Sequence, residues 1–150
     1  MSKSTASLLA TACAAVLLFA LTTSGRAPAQ GEGKLGAAME ELGAAVKTLQ
    51  AAVKAPEELE KALPEIWKAQ RAALDAKSEL PKQVSEMADE KARLKAQLAY
   101  RTQMQDLMRA LLDVEAAMIA GDAKKADKAL RQADNLKSAG HGQFRPRDGR

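Results

Sequence analysis

Three kinds of side chain are nearly missing from this 150-residue chain: it has one cysteine, one histidine and four aromatic residues. The cysteine, Cys13, sits in an apolar N-terminal stretch, so residues 30–150 carry no thiol. Disulfides, thiolate metal sites and thioether attachment of a prosthetic group are excluded for that part. The single histidine, His141, excludes a bundle-type di-iron centre, which draws on two Glu-x-x-His motifs. It would also have to serve any Ser-His-Asp arrangement, and no serine elbow accompanies it. There is no glycine-rich phosphate loop, HExxH or CxxC. Carboxylates are plentiful but fall on polar helix faces, where they read as a solvated surface. No acid-base or nucleophile constellation exists, and an enzyme is not expected.

Long apolar runs are also lacking, with one short exception. Lys3 is the only charge before Arg26, and Leu8 to Leu21 is apolar and rich in Ala and Leu. The stretch is short of the ~20 apolar residues a membrane span needs. Ala27-Pro28-Ala29 then supplies small residues at the spacing a signal peptidase reads. Residues 1–29 are read as a secretory signal peptide and Gln30 as the start of the mature chain, which is expected to be exported across a membrane. A lipid anchor on Cys13 is disfavoured, because almost no apolar segment precedes it.

Without Lys3 and Arg26 the remaining chain has 21 bases against 19 acids, a net charge of +2. That near balance is no nucleic-acid signature. About 120 residues suffice for one domain with one core, and a monomer is expected. Abundant Ala, Leu, Lys and Glu read as helix.

Leu35, Met39, Leu42, Val46, Leu49 and Val53 recur at alternating steps of four and three, one apolar stripe on a helix from about 34 to 54. Pro56, followed by Glu57 and Glu58, suits the start of a second helix to about Glu79, with Pro64 inside it as a kink or split. Ser85 is the expected N-cap of a third helix to Ala120, whose stripe is Tyr100, Met104, Leu107, Leu111, Val114 and Met118. Gly121 closes it and Asp122 caps a fourth helix, weakened at Gly140 and Gly142 and ended before Pro146. A disordered basic tail is expected from about 145. Four helices with short connections predict an all-α, antiparallel up-down-up-down four-helix bundle. The second hairpin looks long, since the third helix begins about fifteen residues before Tyr100 and projects beyond one end of the bundle.

At ~100° per residue, His141 is about 20° from Leu130 and about 0° from Ala123. If the helix persists, His141 points at the core. There it reads either as a hydrogen-bonded, half-exposed side chain or as a ligand. In an antiparallel bundle the start of the first helix and the end of the fourth share one end, so Met39 and His141 meet there. Counting twenty residues back from the Gly121 turn brings Tyr100 and Met104 near the level of His141. Met104, Met108 and Met118 read equally well as core filler.

The arrangement resembles the soluble cytochrome b562 family over about residues 34–147. The resemblance is carried by Leu35-x-x-x-Met39-x-x-Leu42, by Arg71-Ala72-Ala73-Leu74-Asp75-Ala76, and by Gly121 followed after twenty residues by His141 and then Phe144-Arg145. It implies a periplasmic electron carrier holding one non-covalent haem b, with Met39 and His141 as axial ligands of its iron. By the same resemblance Leu35 and Leu42 flank Met39, Tyr100 and Met104 pack the macrocycle, and Lys137 lies near a propionate. Such a protein has a redox partner protein and no role on membrane or nucleic acid. The chain departs from the family in placing Gly140 and Gly142 around His141 and in having Met104 where an aromatic is usual. Two other readings stand beside this one. One is a cofactor-free interaction module presenting the long hairpin. The other is a periplasmic copper carrier using Met39, Met104 and His141.

Overall fold

The computed structural model describes residues 33–144, and all the regular structure among them is helical. Four long helices are α1 (Gly33–Ala52), α2 (Leu63–Ser78), α4 (Glu90–Ile119) and α5 (Ala123–Phe144); α3 (Lys82–Ser85) is a single turn in the connection between α2 and α4. α1 packs on α2, α2 on α4 and α4 on α5, and a thinner α1–α5 seam closes the circuit. This is the four-helix bundle expected from the apolar stripes. The expected signal segment 1–29 and the tail from 145 lie outside the described residues.

Leucines from α1 and α4 fill the centre. Leu42, Leu49, Ile66, Leu111 and Leu130 are completely or almost completely buried, each stabilising the fold by about 1.5–3 kcal/mol relative to exposure. α2 contributes differently, since Ala69, Ala72, Ala73 and Ala76 line its inner face around Ile66. Small side chains let its axis approach its neighbours closely. One carboxylate ties α2 to α4 from outside. Trp67 Nε1 donates to Glu115 Oε1 at 2.7 Å, and Gln70 Nε2 donates to Oε2 at 2.7 Å.

Two expected boundaries move. Pro56 opens only a 3₁₀ turn, Pro56–Glu58, and α2 begins at Leu63 with Pro64 in its first turn. Proline has no N–H to lose there, so Pro64 starts the helix instead of kinking it. Ser85 ends α3, its hydroxyl donating to the Lys82 carbonyl, and the cap of α4 is Asp89, whose Oδ1 accepts the Ala92 amide at 2.6 Å. Both residues favour caps. Burial of Val84 and Pro81 folds the chain back through α3 first.

The α4–α5 turn matches expectation. Gly121 adopts φ 67°, a left-handed conformation that costs glycine little. Its amide donates to Met118 O at 3.0 Å and that of Asp122 to Ala117 O at 2.9 Å, a Schellman closure. Asp122 Oδ1 then accepts the Lys125 amide and starts α5.

Candidate functional site

The register of the bundle is set by three contacts at one end. Tyr100 of α4 donates from its hydroxyl to the Ala76 carbonyl of α2 at 2.7 Å. The Tyr100 ring meets Phe144 of α5 edge to face, centroids 5.3 Å apart. Gln103 Nε2 donates to the Leu136 carbonyl at 3.0 Å. The end of α2, the Tyr100 turn of α4 and the end of α5 are therefore at one level, as counting from Gly121 led us to expect. Counting back through the α1–α2 turn sets Met39 within about one helical turn of Ala76. The α4 residues before Tyr100, from Glu90, run on beyond the described end of α5 for about 15 Å.

Which way Met39 and His141 face follows from contacts elsewhere on their own helices. At the opposite end of the seam, Val53 and Lys54 line a surface groove of about 300 Å³ with Ala123, Asp127 and Arg131 of α5. Those residues mark the flanks on which α1 and α5 confront each other. Met39 lies fourteen residues before Val53, about 40° away around α1. His141 lies fourteen residues after Asp127, about 40° away around α5, and in line with Ala123. The opposite flank of α5, carrying Leu136 and Gly140, is the one against Gln103 of α4. By this count Met39 and His141 fall at the same end of the bundle, on the sides of α1 and α5 that continue from the groove.

His141 is exposed, at the rim of that seam and not in the core. The physical reason is the period of the buried stripe. Ala126, Leu130, Ala133, Lys137, Gly140 and Phe144 turn inward at alternating steps of four and three. That 3.5-residue repeat drifts against the 3.6-residue helix, and His141 ends about 60° from the stripe's centre. α5 itself stays helical through Gly140 and Gly142 to Phe144, where weakening was expected. Phe144 is buried against Tyr100 and anchors the last turn.

The other expected residues divide by depth. Leu42, Tyr100 and Met104 are buried, whereas Leu35 and Met39 are partly buried against the core. Burial pushes the Tyr100 phenol up to about 12; Arg101 opposes this and Glu79 adds to it. Lys137 lies along the inward stripe with its side chain 19% exposed, and its Nζ is 2.7 Å from Asp134 Oδ1. Its methylene stem covers apolar surface while the ammonium reaches solvent. Arg145 and Arg147 lie outside the described residues.

Two residues that were not among the expected site residues join this end of the bundle. Gly43 is partly buried one turn from Met39 on the α5-facing flank of α1, and the space a side chain there would occupy is open. Phe144 walls the end of the bundle; its place on the four-and-three stripe from Leu130 was the available signal. A glycine on a helix gives no such signal. The arrangement is a thioether and an imidazole on two facing helices, flanked by the aromatic and aliphatic wall of Leu42, Tyr100, Met104 and Phe144. A thioether and an imidazole are donors of the kind that suit haem iron. Among the described residues no three His, Cys, Asp or Glu side chains gather to hold a metal ion, and no helix is long and apolar enough to cross a membrane.

Comparison with protein families matches residues 34–145 to the family described as Cytochrome b562. Comparison with curated proteins and with solved structures finds no match.

Proposed function

The chain belongs to the cytochrome b562 family, and from that premise we propose that it is a periplasmic electron-transfer protein holding one haem b between Met39 and His141. The reading is supported by the shared level of Met39 and His141, which helix counting assigns to the bundle end that the Tyr100–Phe144 pair walls off. The expected export signal in residues 1–29 supports the compartment.

Bound haem supplies a one-electron ferric–ferrous couple. The residues of the chain set its terms. His141 and Met39 would hold the iron, and with an imidazole and a thioether both bound to it the site would favour electron transfer over catalysis. The soft thioether favours the ferrous state and raises the potential. Leu42, Met104, Tyr100 and Phe144 exclude water and act in the same direction. His141 at the rim of the seam needs a turn of about 60° around α5, or an equivalent side-chain swing, to reach the site. Lys137 would meet a propionate in exchange for its ion pair with Asp134.

The test is an absorption titration of the purified protein with haemin, recorded oxidised and after dithionite reduction. A sharpened Soret band with resolved visible bands on reduction is expected, lost in His141→Ala. Met39→Ala should keep haem and gain carbon monoxide binding. A free-haemin spectrum in the wild-type protein would overturn the proposal. Cuprous copper bound without competition from haemin would favour the copper reading.

A further inference from the structure

α4 carries a second apolar stripe that the bundle does not bury. Leu94, Leu98, Leu112 and Ile119 are all more than half exposed, Ile119 at 69%. Their spacings of four, fourteen and seven keep one heptad register, and partly buried Met108 falls in the same register. The bonds from Trp67 and Gln70 to Glu115 identify this flank as the one bordering α2. α2 extends the patch on its side with Trp67 and Leu74, exposed at 53% and 56%. From Leu94 to Ile119 the stripe is about 38 Å long. Two helices wide, the face offers roughly 700 Å² per copy, close to the ~800 Å² per partner of a standard interface.

Charge along α4 indicates what covers the stripe. Residues 90–105 carry four bases against one acid, and residues 106–119 carry three acids against one base. An antiparallel second α4 therefore sets basic half against acidic half at both ends, as a two-fold contact requires. With the middle of α4 near the axis, positions whose numbers sum to about 206 meet. Leu94 then faces Leu112 of the second copy, Leu98 faces Met108, and Lys91 comes within reach of Glu115.

We infer that the protein is a two-fold homodimer joined through the outer faces of α2 and α4. A monomer is what the sequence alone led us to expect. The interface lies on the opposite side of α4 from α5, so it leaves the α1–α5 seam open to a redox partner.

Sedimentation velocity on the purified protein at ~50 µM, a concentration at which an interface of this size is populated, is the direct test. A dimer is expected. Leu112→Asp should give a monomer whose helical circular dichroism and melting are preserved, since Leu112 is outside the core. Lys91→Glu and Glu115→Lys should each weaken association at least tenfold, and the double exchange should restore it. A monomeric wild-type protein at that concentration would overturn the inference and assign the face to a different partner. A dimer that Leu112→Asp leaves intact, or charge exchanges that fail to rescue each other, would overturn it equally.

Discussion

Phe144 stands edge-on to Tyr100, with ring planes at 83° and centroids 5.3 Å apart, and this contact pins the last turn of α5 to α4. Because His141 is one turn before Phe144, the pair also fixes where the imidazole starts. Phe144→Ala should cost about 3 kcal/mol, the lower end for a buried phenylalanine. Hydrogen exchange should show lost protection confined to the end of α5. Uniform loss across all four helices would mean that the pair holds the whole bundle and not its end.

Tyr100 is the only tyrosine in the chain, so its ionisation can be followed by the tyrosinate ultraviolet band without ambiguity. Burial raises its pKa to about 12 from an ordinary 10.0. The fold therefore favours the neutral phenol. Its contribution is fully present below pH 10 and is lost as pH climbs through about 12, at about 1.4 kcal/mol per unit. Unfolding should accompany the titration. A reversible tyrosinate transition near pH 10 in the folded protein would contradict the burial.

The glycines around His141 should respond unequally to alanine. At Gly142 an added Cβ meets nothing within 4 Å, so Gly142→Ala should stabilise α5 by ~1 kcal/mol through helix propensity. At Gly140 the same Cβ lies 3.2 Å from Gln103 Nε2. Gln103 must shift and strain its bond to Leu136, so the gain there should be smaller or absent. Thermal melts of the two variants give the ranking, and equal gains would count against the Gln103 contact.

Asp89 and Ser85 compete as the start of α4. Asp89→Ala removes the acceptor of the Ala92 amide and should cost about 1 kcal/mol. Ser85→Ala, on the exposed α3 turn, should change stability by less than about 0.5 kcal/mol. Chemical denaturation measures both, and a reversed order would return the helix start to Ser85.

Local chemistry carried most of the fold. Alternating steps of four and three from Leu35 to Val53 and from Tyr100 to Met118 determine which faces turn inward, because burial of one apolar stripe dominates helix placement. Gly121-Asp122 determined the last turn by itself, since only a left-handed residue followed by a capping carboxylate closes one helix and opens the next within two positions. From these elements followed the antiparallel order, the shared end of Met39 and His141, and the level of Tyr100. The tertiary structure decided the rest. Whether Pro64 kinks or begins a helix depends on where the preceding turn packs, and the choice between Ser85 and Asp89 depends on burial of Val84. His141 faces the seam and not the core because a supercoiled stripe drifts relative to an ideal helix, a shift set by the neighbouring helices. The outer stripe of α4 keeps a heptad register but is interrupted by Arg101, Gln105 and Glu115. That the apolar residues between them stay uncovered is decided by the packing of α2 and α5 on the other faces of the helix.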